Sequence, residues 1–124
     1  MSRLEYFELM PMPVVVAACF DPGQFQKEMR RLRVTGAPPF TAGSPACVHT
    51  FEQGTSIRQI MCLDHEMLED KTPIEVAALL CHEAVHVMQE CRDWMNEKSA
   101  GSEWEAFMVQ AVAQFFMSKY TEVA

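Results

Sequence analysis

At 124 residues, half of them apolar, the chain is long enough to bury roughly two thirds of its unfolded surface, so a single domain over residues 1–124 needs no disulfide staple. A formal charge of −7 lacks the basic footprint that phosphate neutralisation requires, and no stretch approaches the roughly 20 uninterrupted apolar residues of a membrane span. Neither a nucleic acid nor a membrane is therefore an expected partner. The five cysteines are an odd number with no C-x-x-C pair, which fits reduced core thiols in a cytoplasmic protein.

In chain order, the β-branched run Val14 to Cys19 predicts a buried strand. The acidic Glu5 and Glu8 before it differ from the basic flank of a secretion signal. Asp21-Pro22 supplies an N-cap and a first-turn proline for a helix through about Arg33, with Lys27, Arg30, Arg31 and Arg33 on a solvated face. Gly36 to Pro45, rich in proline and glycine, is a loop. Cys47 to Glu52 and Ser56 to Leu63, separated by Gln53-Gly54-Thr55, form a hairpin whose second strand, with Arg58 and Gln59 among its apolar residues, is a candidate sheet edge.

Thr72-Pro73-Ile74-Glu75 carries a complete capping box and opens the next helix. Apolar residues surround that helix from Ile74 through Met88, which predicts burial at the centre of the domain. Ser102 is expected to cap a last helix to about Tyr120, with Ala106, Val109, Val112, Ala113 and Phe116 facing inward. The expected class is α+β, in the order strand, helix, hairpin, helix, helix.

The central helix contains Cys81-His82-Glu83-Ala84-Val85-His86, an H-E-x-x-H pattern that puts two imidazoles on one face, one turn apart, where they can share a metal. Burying these groups among apolar neighbours is costly unless each finds a partner, and a cation would serve all three. Gln89 and Asp93 extend the stripe as supporting groups behind the ligands. Catalytic zinc takes three protein ligands and keeps a fourth position open, so a third must come from elsewhere. The last helix offers Glu103 and Glu105; Glu105 falls on the inward stripe, whereas Glu103 is turned about 200° from it.

With these residues the chain resembles the gluzincin zinc metallopeptidases, which pair H-E-x-x-H on one helix with a glutamate on a following helix. Thr72 to about Gln114 is most similar to minimal, single-domain members, including short phage and prophage metallopeptidases with H-E-A-V-H-V followed by E-x-E-A. The resemblance implies a small zincin-like fold, one Zn²⁺ per chain held by His82, His86 and Glu105, Glu83 as general base, and an extended peptide or protein substrate along an edge strand, here Ile57 to Leu63. Two positions depart from the family. Val109 stands where many members carry an aspartate that orients the first histidine, and no downstream tyrosine or histidine is placed to stabilise an oxyanion, which leaves His49 and His65 of the hairpin region as candidates. An alternative is a catalytically inactive, zinc-stabilised scaffold or interaction module derived from a peptidase.

Overall fold

The computed structural model describes residues 3–9, 12, 14–97 and 101–124. Its elements are β1 (Tyr6–Glu8), β2 (Val14–Cys19), α1 (Pro22–Arg31), β3 (Ala46–Gln53), β4 (Ser56–Leu63), a short 3-10 turn (His65–Leu68), α2 (Pro73–Trp94) and α3 (Ser102–Val123). The protein is thus mixed α+β, a four-stranded sheet with three helices. Among the described residues no helix is long and apolar enough to cross a membrane.

The strands lie in the order β1-β2-β4-β3, with β2 and β4 parallel and the two outer pairs antiparallel. Strand alternation divides the core between the two faces. On one, Phe25 and Met29 of α1 cover Ala17, Cys19, Ile60 and Cys62. On the other, α2 and α3 bring Val76, Leu80, Val87, Val112 and Phe116 onto Val16, Ile57, Met61 and Leu63. Phe40, from the loop before β3, closes the first face with its ring 5.8 Å from that of Phe25.

Several local expectations hold. Asp21 caps α1 through its side chain, accepting from the backbone N–H groups of Gly23 and Gln24, and the helix ends at Arg31, two residues early. The capping box at α2 is complete: the backbone N–H of Thr72 donates to Glu75 Oε1 at 3.0 Å and that of Glu75 to Thr72 Oγ1 at 3.1 Å. The hairpin pairs Gln53 with Ser56 across the turn.

Other expectations are corrected. Ile57 to Leu63 is not an edge, because β4 is paired on both sides. Its polar residues have inner partners instead: the guanidinium of Arg58 lies 4.2 Å above the Tyr6 ring, and Gln59, fully buried, donates to the Val87 carbonyl of α2 at 3.3 Å. The edge on that side is β3. Nor is α2 buried all round. Its core-facing residues are Val76, Leu80, Glu83, Ala84, Val87, Met88 and Cys91, while Ile74 is 82% exposed, since the sheet and α3 cover only two flanks of the helix.

Ser102 is the first residue of α3 rather than its cap. The cap is Gly101 at φ 96°, a conformation that a side chain would strain. The inner row of α3 begins at Met108 and continues through Val112, Ala113 and Phe116; Ala106 is exposed and Val109 half-buried. β1 was not anticipated, because three residues are too few to display alternation.

Candidate metal centre

The winding of α2 turns His82 and His86 outward, away from the sheet. Their Nε2 atoms are 3.1 Å apart with the rings nearly perpendicular at 82°. Two zinc–nitrogen bonds of about 2.0–2.1 Å spanning that separation would meet at about 100°, close to tetrahedral, so the pair fits a shared ion. Gln89, one turn on, fixes the tautomer that ligation requires. Its amide oxygen can only accept, so Nδ1–H of His86 donates to Oε1 at 3.1 Å and the Nε2 lone pair is left for a metal.

Glu83 belongs to the same cluster: one ligand atom from each of His82, Glu83 and His86 lies within 4.8 Å of the others. Their exposures differ sharply. The His82 side chain is 65% exposed and that of Glu83 only 4%, with Oε2 4.0 Å from His82 Nε2. The expectation of two buried imidazoles is therefore corrected: the rings are solvated and only the carboxylate is buried. Burial pushes the pKa of Glu83 up, and the neighbouring His82 and His86 pull it back only in part. Its charge also reaches Cys47 at the start of β3, where it adds to the upward push of burial on that thiol.

The remaining sequence candidates disperse. Glu105 is half-buried and Glu103 exposed, as expected, but Glu105 is not part of the histidine cluster; its Oε2 accepts from Arg92 Nη1 at 3.2 Å. Asp93 is 75% exposed and faces Arg92 Nε at 3.9 Å. His49 lies on the opposite face of the sheet from α2, between Phe25 and Phe51, with Nε2 donating to the Phe40 carbonyl at 2.9 Å. Strand alternation puts it there with Cys47, so it is no oxyanion stabiliser for this centre. The His65 ring lies 5.6 Å from that of Tyr120 at a tilt of 52°, and Tyr120 lines a pocket with Pro73, Val76 and Ala77 at the N-terminal end of α2.

No family model, curated protein or solved structure matches this chain. The centre's chemistry therefore rests on its own geometry. Two contributors escaped the sequence reading. Glu90 continues the row of His82 and His86 by one more turn, a spacing that was visible, and accepts from Thr50 Oγ1 of β3 at 2.5 Å. Gln59 braces α2 from below at Val87, and nothing in a strand sequence marks which polar residue will point inward.

Proposed function

We propose that the protein is a zinc-dependent metallopeptidase of the minimal gluzincin kind, with His82 and His86 as ligands through Nε2, Glu105 as the third ligand and Glu83 as general base. The observation that carries this reading is the pairing of two solvated imidazoles, 3.1 Å apart at Nε2, with a buried carboxylate whose pKa is raised. Zinc bound there would polarise a scissile carbonyl and bring the pKa of a water to about 7.

Glu83 takes up the proton at Oε2, and its raised pKa makes it a stronger base than a solvated carboxylate. Gln89 holds the His86 ring in its ligating tautomer. The edge strand β3, tied to α2 through Thr50 and Glu90, takes over the substrate-aligning role that the family resemblance implied for β4, offering its outer backbone groups to an extended peptide.

The inactive-scaffold alternative is disfavoured by Glu83. An ion held by His82, His86 and Glu105 would tie α2 to α3 under either reading, but a structural site has no need of a costly buried carboxylate beside its ligands. The deciding experiment compares wild type with Glu83→Gln for zinc content, melting temperature and cleavage of a denatured protein, with His82→Ala/His86→Ala as contaminant control. Zinc and folding should persist while cleavage falls. Equal cleavage by both forms removes Glu83 from the mechanism, and no cleavage by wild type favours the scaffold.

A further inference from the structure

The stripe carrying His82 and His86 has two unlike flanks. Toward β3 stand Glu83 and Glu90; toward α3 stands Arg92, and the carboxylate that α3 offers there, Glu105, is bound to it at 3.2 Å. Both side chains are about a quarter exposed, at 24% and 26%. Arg92 is not saturated by this contact: its Nε is buried with no hydrogen-bond partner, the Asp93 carboxylate lying 3.9 Å away. A guanidinium so placed holds on to the carboxylate that comes nearest to satisfying it.

We propose that the Arg92–Glu105 ion pair is a latch on the metal centre: Glu105 is held by Arg92 without metal and must leave it to complete the ligand set with His82 and His86. Arg92 is then a positioning residue that sets the affinity of the centre. The inference rests on the metallopeptidase reading in one respect, that Glu105 is a ligand. When the competent arrangement is only a fraction of the population, the apparent dissociation constant rises by the inverse of that fraction. A partly exposed charged pair of this kind should weaken zinc binding by about two- to sixfold.

The test titrates Zn²⁺ against a chromophoric competitor chelator in wild type, Arg92→Gln, Glu105→Ala and the double variant. Arg92→Gln should bind zinc about two- to sixfold more tightly, and that gain should vanish in the Glu105→Ala background. Unchanged or weaker binding by a folded Arg92→Gln overturns the latch and leaves a simple tie between helices. A gain that survives Glu105→Ala overturns it too, since Arg92 would then act through another group such as Asp93, which faces its Nε at 3.9 Å. Should Arg92→Gln not fold, the guanidinium NMR resonance of Arg92 in wild type decides: it should shift on adding zinc, and a fixed signal overturns the proposal. Wild type that binds no zinc overturns the metallopeptidase reading together with the latch, whereas zinc binding that requires His82 and His86 but leaves the Arg92 signal unmoved overturns the latch alone.

Discussion

Two helical carboxylates face the core from opposite sides of the sheet, Glu28 at 2% exposure and Glu83 at 3%, and their environments send them in opposite directions. Burial raises the pKa of both. At Glu28 it is outweighed by Arg31, which donates through Nε at 2.7 Å and Nη2 at 2.6 Å, and by the Tyr6 hydroxyl, so the net shift is downward. Glu83 has only the two imidazoles to offset burial, and it stays raised. A satisfied buried carboxylate holds structure together, whereas one left basic beside two ligand nitrogens is suited to moving a proton.

The comparison breaks most readily at Glu83. Glu83→Gln should lower hydrolysis of an unstructured protein by at least about 10²-fold with zinc content unchanged, while Glu28→Gln leaves hydrolysis near wild type. Equal losses in the two variants would show that both act through stability. Glu105→Ala should weaken zinc affinity by orders of magnitude in chelator competition, and Glu103→Ala should leave it nearly unchanged; the reverse order would mean that α3 presents its other face to the centre.

Glu28→Gln should cost about 1.5–3 kcal/mol in denaturant unfolding, because it removes charge-assisted hydrogen bonds from a buried position. Tyr6→Phe should cost less, about 1 kcal/mol, since Arg31 still neutralises the carboxylate. The smallest effect is in pH dependence. With the folded pKa of Glu28 below the unfolded value of about 4.3, its stabilisation is complete above that value and is lost as pH falls through the folded one. Glu28→Gln should therefore show a shallower acid limb than wild type in metal-free protein, and parallel limbs would remove Glu28 as an acid-labile contact.

Features that depend on neighbours in sequence were legible. The capping box at Thr72 and the one-turn spacing of His82 and His86 follow from helix geometry alone, and Gln89 was found by extending the same stripe. Features set by distant pairing were not. That β4 lies inside the sheet depends on β2 docking beside it, and a strand buried on both faces shows no alternation to mark its place. The exposure of the histidines depended on how few layers cover α2, and the capture of Glu105 by Arg92 on the relative rotation of two helices. The same cause explains His49: its residue type pointed to chemistry, but register and pleat directed it into an aromatic pocket on the far face.

The parallel pairing of β2 with β4 also has a kinetic consequence. It sets Cys19 beside Cys62, so the centre of the sheet cannot form until the intervening helix, loop and hairpin have been brought round, and closing that long loop precedes any reward from the contacts it makes. The β3–β4 hairpin and the self-capped α2 need no such closure. Folding should therefore be limited by docking β2 onto an already formed hairpin, and core truncations at the β2–β4 seam, such as Val16→Ala, should slow refolding more than truncations between α2 and α3, such as Val112→Ala.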